Sequence, residues 1–139
     1  MYEHIEIYLD SKKHLGIFLL RIFVSIRLLY GVLDNIISWE RMIEFSDFLQ
    51  NYGFPFPLVN AIISVYAQFF CAILILVGYK IRFASFVLVI NFLVALIFVH
   101  ISAGDTIEGM TGALAMLFGS LTFLFTGSDK ISIDHRFKS

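Results

Sequence analysis

The sequence predicts an all-α fold, a bundle of four transmembrane helices with an interfacial amphipathic helix between helices 1 and 2. Three observations carry that prediction. Of the 139 residues, 59% are hydrophobic and 17% aromatic, and the mean hydropathy is +0.86, far more apolar than an ordinary soluble domain. Four stretches, roughly 15–37, 58–79, 82–101 and 107–127, each supply the ~20 mostly apolar residues needed to cross the hydrocarbon core. The basic residues outside them fall on alternate sides. Lys12, Lys13, Lys80, Arg82, Lys130, Arg136 and Lys138 lie in one set of flanks and only Arg41 in the other, seven against one.

Taken in order, the first fourteen residues mix Glu3, Glu6, Asp10, Lys12 and Lys13. The apolar stretch after them is too long for the core of a cleaved signal, so the first span is expected to remain as an anchor. Next comes "SWERMIEFSDFLQNYGFPFP", in which Trp39, Met42, Ile43, Phe45 and Phe48 recur at three- and four-residue spacing opposite Glu40, Glu44 and Asp47. That pattern predicts an amphipathic helix over roughly 39–50 at the membrane surface. Gly53, Pro55 and Pro57 stop it and turn the chain into span two. Lys80 and Arg82 occupy the short link to span three, and the positive-inside rule then places both termini and this link in the cytoplasm. On span four, Glu108, Gly112, Ala115, Gly119, Thr122 and Thr126 share a face, so a small-residue seam against a neighbouring helix is expected there. The whole chain, 1–139, reads as one transmembrane domain.

Several functions are excluded at this level. A net charge of −1 provides no basic field for nucleic acid. The single cysteine, Cys71, cannot form an intramolecular disulfide or a thiolate cage. A bis-histidine haem needs two imidazoles at one depth, whereas His14 and His100 lie at opposite ends of their spans and His4 and His135 lie outside them. No His, Cys or carboxylate cluster has metal-ligand spacing.

What remains is a set of polar residues inside an apolar chain. "LLRIFVSIRLLYGVLD" places Arg21, Arg27 and Asp34 in span one, where a mid-membrane arginine costs about 2.5 to 3.5 kcal/mol. Arg27 and Asp34 are seven apart and nearly aligned; Arg21 is close enough to the cytoplasmic end to snorkel to the head groups. Gln68 on span two and Asn91 on span three sit near mid-depth, with Asn60, Ser64, Gln68 and Cys71 forming one stripe. His100 and Glu108 bracket the outer loop with Asp105 between them, an arrangement suited to handling protons. Asn91 and His100 are nine apart, which on an α-helix aims them in opposite directions. The candidate ligand contacts are therefore Arg21, Arg27, Asp34, Gln68 and Asn91, with His100 and Glu108 as candidate proton carriers. Interhelical hydrogen bonding accounts for the amides equally well.

The chain resembles the DoxX family of small four-helix membrane proteins. The likeness rests on "LLRIFVSIRLLYGVLD", whose Arg21 and Gly31 match the family's first-helix arginine and glycine, and on "YGFPFPLVNAIISVYAQFFCAILILVG", "VHISAGDTIEG" and "FLFTGSDKISIDH" in that order. Glu108 matches the acid at the start of the family's fourth helix and Asp134 its closing aspartate. Gln68 stands where many relatives carry glutamate, and "TGSDKISID" replaces the more usual Gly-Pro-Gly turn. The resemblance implies a prokaryotic inner-membrane protein associated with quinone-linked oxidoreductases.

Two functions follow. In the first, the bundle is a membrane subunit that binds a quinone or another lipophile, with electrons supplied by a partner oxidoreductase, because the chain has no nucleotide motif or cysteine pair of its own. In the second, it is a non-catalytic scaffold or assembly factor whose amphipathic helix docks an envelope protein. Solute transport would require further copies of the chain, a homo-oligomer, to form a pathway.

Overall fold

A computed structural model describes residues 1–138. The elements are α1 (Tyr2–Ser11), α2 (Lys13–Ile37), α3 (Trp39–Asn51), α4 (Pro57–Val77), α5 (Ile81–Ala95), α6 (Ile107–Thr126) and α7 (Ile133–Lys138). The axis of α5 continues directly into a π-helical turn, Leu96–Ile101. Four helical stretches are long and apolar enough to cross a membrane, Lys13–Ile37, Pro57–Val77, Ile81–Ile101 and Ile107–Thr126, each within a few residues of its expected position. The fold is an all-α four-helix membrane bundle. The charged N-terminal segment forms α1, an element its mixed composition does not announce, and none of its residues is buried.

Local chemistry sets the boundaries. Ser38 opens α3 by accepting from the Arg41 amide through its side chain, and Thr106 opens α6 by accepting from Gly109 N at 3.2 Å. Pro57 begins α4, where its missing N–H leaves no bond unmade. Gly78 ends α4 in the left-handed region at φ +79°.

Neighbouring spans pack as antiparallel pairs, α2 on α4, α4 on α5 and α5 on α6, with α3 folded back across α4 and α2. Two apolar cores result. One, around Val24, Leu28, Ala72, Ile75, Leu88 and Phe123, fills the bundle toward the end that holds the α4–α5 link. The other, around Val32, Met42, Leu49, Ala61 and Val65, lies under α3. Met42 and Leu49 of α3 are buried in this second core, whereas Trp39 and Phe48 on the same helix remain exposed.

The expected seam on α6 is not the one that packs. Met116, Leu117, Gly119, Ser120 and Phe123 are buried, while Glu108, Gly112, Ala115 and Thr126 are exposed. Only Gly119 of the small-residue stripe is buried, and a Cβ there would lie 3.0 Å from Val24. Phe118 and Phe125 stay exposed, so size does not decide the facing direction; Met116, Leu117 and Phe123 are buried because they pack into the core shared with α5 and α2.

Candidate functional site

The sequence-predicted polar residues separate into three places. Arg21 goes to the end of the bundle where α4 meets α5 and α6 stops. It is 1% exposed, and its guanidinium makes four hydrogen bonds: Nη1 donates to Asp129 Oδ2 and to the Ile131 carbonyl, both at 2.8 Å, while Nε and Nη2 donate to the Ile75 and Leu76 carbonyls, each at 2.9 Å. These last two carbonyls lie in the final turn of α4, where the i+4 amides are missing; Ile75 also accepts from the Gly78 amide at 3.2 Å. Arg21 therefore does not snorkel, and its counter-charge is Asp129, a residue absent from the set expected from sequence. The chain after α6 is a buckle built around this pair. Ser132 Oγ donates to the Asp129 carbonyl at 2.6 Å, and Asp134 accepts from the amides of Lys80 and Ile81 at 2.8 and 3.0 Å.

Arg27 and Asp34 go to the outside. Both are exposed on α2 and line a furrow of about 490 Å³ with Tyr30, Gly31, Leu33 and Ile37. They do not line the cavity that Asn91 borders, so the arginines and the amides do not converge on one ligand pocket.

The third place is a cavity of about 710 Å³ between α3, α4, α5 and the π turn. Phe45, Phe48, Tyr52 and Phe54 supply its aromatic wall, and Ile63, Val87, Ile90 and Val94 the opposite apolar one. Its polar lining is Asn60, Ser64, Asn91, His100 and Asp105. At the deeper level, Gln68 Nε2 donates to Ser64 Oγ at 3.1 Å and Ser64 Oγ donates to Asn91 Oδ1 at 2.8 Å. This relay links α4 to α5. It satisfies the Asn91 carbonyl and leaves its amide nitrogen as a donor at the cavity wall. Gln68 stands behind Ser64 and outside the lining.

At the mouth, His100 Nδ1 lies 2.7 Å from Asp105 Oδ2. The Asp105 amide also donates to the His100 carbonyl at 3.0 Å, fixing the loop against the turn. Glu108, the other expected proton carrier, is exposed at the start of α6, and the carboxylate at the imidazole is Asp105 instead. With Nδ1–H directed to Asp105, the second ring nitrogen, Nε2, accepts a proton when the ring is neutral and donates one when it is charged.

Asn91 and His100 line the same cavity, although an α-helix would hold them on opposite faces. The π turn is the reason. Its i→i+5 bonds take up one residue more than an α-turn, which at ~100° per residue reduces a half-turn separation to roughly 80°. No pattern in "LVALIFVHI" announces this, because π turns arise from packing rather than from composition. Half of the aromatic wall, Phe45 and Phe48, was present in the sequence on the apolar face of the amphipathic helix, whereas Tyr52 and Phe54 follow α3 and belonged to no predicted face. What periodicity alone does not reveal is that part of this face borders a cavity.

No curated protein and no solved structure matches the chain. The DoxX family model matches residues 16–101, which run from the start of the first span through the π turn and supply nearly all of the cavity lining. That match covers more than half of the sequence, and the chain belongs to the DoxX family.

Proposed function

We propose that this protein is a membrane subunit that binds a quinone-like lipophile in the cavity under α3 and works with a partner oxidoreductase that supplies the electrons. The observation that carries the reading is the cavity itself: about 710 Å³, mostly apolar and aromatic, with an unused amide donor at depth and a His–Asp pair at the mouth. Volumes of ~300–1,000 Å³ with a few convergent polar groups suit small-molecule binding. A quinone supplies reversible two-electron, two-proton chemistry when bound.

This chain's own residues would do the rest. Asn91 Nδ2 donates to a ligand carbonyl and orients the ring, held in register by Ser64 and Gln68. His100 exchanges a proton with solvent at Nε2 while Asp105 holds its other nitrogen. The two act at different depths, since nine residues separate them by ~13 Å of helix. Asn91 therefore governs affinity and His100 the proton path. The seven-to-one distribution of Lys and Arg supports a cytoplasmic-membrane location with both termini in the cytoplasm, which turns the cavity mouth to the opposite side.

The test is extraction and mass spectrometry of protein purified in mild detergent, followed by titration with a soluble short-chain quinone. Near-stoichiometric quinone is expected in the wild type. Asn91→Leu is expected to weaken binding about tenfold, equivalent to ~1.4 kcal/mol for one lost hydrogen bond. His100→Ala is expected to change the pH dependence more than the affinity. A wild-type sample that neither carries nor binds quinone would refute the proposal.

A further inference from the structure

The furrow on α2 lies apart from the cavity and is built differently. Arg27 is exposed roughly 15 Å below the end of α2 and forms no ion pair among the described residues. Its guanidinium carbon stands 5.9 Å from the centre of the Tyr30 ring. The side chain climbs rather than descends: a Cβ on Gly31 would stand 3.1 Å from Arg27 Nη1, so the charge lies beside the next turn toward Asp34. The missing side chain at Gly31 makes that path open. Asp34, one turn further on, is exposed at the rim of the same furrow, and its Oδ1 accepts from the neighbouring Asn35 amide at 2.9 Å. The result is a cation and an anion on one outward face, unbridged, at two heights, beside an exposed tyrosine.

We propose that this furrow binds the head group of a zwitterionic phospholipid, with the phosphodiester on Arg27 and the ammonium on Asp34. An unpaired guanidinium on a membrane-facing surface needs an anion, and phosphate accepts its planar fork in two parallel hydrogen bonds. The acid at the rim makes a purely anionic lipid a poorer match, since its head group places no cation against Asp34. The order of charges, arginine deeper and aspartate nearer the helix end, reproduces the order of phosphate and ammonium in a phosphatidylethanolamine head. Bilayer lipid is also the molecule this face meets by default, whereas a partner helix would have to bring an acid to the level of Arg27 and a base to that of Asp34.

Native mass spectrometry of the full chain, delipidated in detergent and titrated with phosphatidylethanolamine or phosphatidylglycerol of the same acyl chains, tests the assignment. The wild type is expected to retain one phosphatidylethanolamine in preference to phosphatidylglycerol. Arg27→Gln is expected to reduce retention of both by roughly tenfold, the loss of one charge-assisted contact. Asp34→Asn is expected to erase the preference while leaving phosphate binding in place. Both variants lie on the exposed face, and an unchanged thermal midpoint without lipid checks that they fold. Equal retention of the two lipids by the wild type, or unchanged retention in Arg27→Gln, would overturn the proposal. So would a dimer or foreign protein mass that Arg27→Gln abolishes, since it would give the furrow to a partner helix.

Discussion

Arg21 and Arg27 stand six residues apart on one helix and have opposite surroundings. At ~100° per residue their side chains leave α2 about 120° apart, so a bundle that buries one must turn the other outward. Arg21 is buried with Asp129, at 1% and 4% side-chain exposure across a 2.8 Å bridge. Removing one partner from such a pair strands a charge and costs about 3–5 kcal/mol. Asp129→Ala is therefore expected to lower the thermal midpoint of the purified protein strongly, with Asp129→Asn less severe because it keeps an acceptor for Nη1 and for the Ile131 amide, which donates to Asp129 Oδ1 at 2.7 Å. In lipid-free detergent, Arg27→Gln should change stability by no more than ~0.5 kcal/mol, as at other exposed positions. Thermal unfolding of the three variants checks the order; equal losses in Asp129→Ala and Arg27→Gln would show that Arg27 is held inside the fold. The ~120° between the two arginines can be counted in the sequence, but it does not say which of them is buried, and both stood among the candidate ligand contacts. The identity of the partner was less legible still, because Asp129 lies beyond the last span and reaches Arg21 only when the closing buckle folds back.

At the scale of elements, span positions could be read closely because length and hydropathy are properties of consecutive residues. Facing direction could not, because it depends on which neighbour each helix finds. The α6 stripe shows this: Gly112 and Gly119 share a face by periodicity, yet Gly119 is buried against Val24, whereas a Cβ on Gly112 would meet nothing within 4 Å. The π turn has the same origin, and with it the convergence of Asn91 and His100. Glycines report the difference experimentally. Gly78 combines φ +79° with Ser132 Cβ at 2.5 Å and Arg21 Nη2 at 2.6 Å from its would-be Cβ. Gly78→Ala should cost about 2–4 kcal/mol through the left-handed backbone and the overpacked buckle together. Gly112→Ala should stabilise by up to ~1 kcal/mol, since a helix interior favours alanine and nothing obstructs the methyl group. Thermal midpoints in detergent separate the two, and destabilisation by Gly112→Ala would reveal that a second molecule packs on the stripe.

For the whole molecule, an even number of crossings and the position of the buckle make one prediction together. The α4–α5 link, the Arg21–Asp129 pair and the segment after α6 all meet at one end of the bundle, while α3, the cavity mouth and the His100–Asp105 pair lie at the other. Four spans return the chain to its starting side, so the two ends of the described chain must share a compartment and α3 must face the opposite one. Cys71 is the sole cysteine and is buried at 5% exposure, which permits a Cys71→Ala background carrying one new cysteine at a time. In sealed right-side-out and inverted vesicles, Glu3→Cys and Lys138→Cys should react with a membrane-impermeant maleimide in the same vesicle type, and Gln50→Cys in the other. If Glu3→Cys and Gln50→Cys labelled in the same vesicle type, the first span would not cross, and the antiparallel pairing of α2 with α4 would fail with it. Depth was readable from sequence by counting residues along each span. Sidedness of the cavity follows only once α3 is seen folded across α4, because its charge pattern alone suits a helix lying on a membrane as well as one closing a pocket.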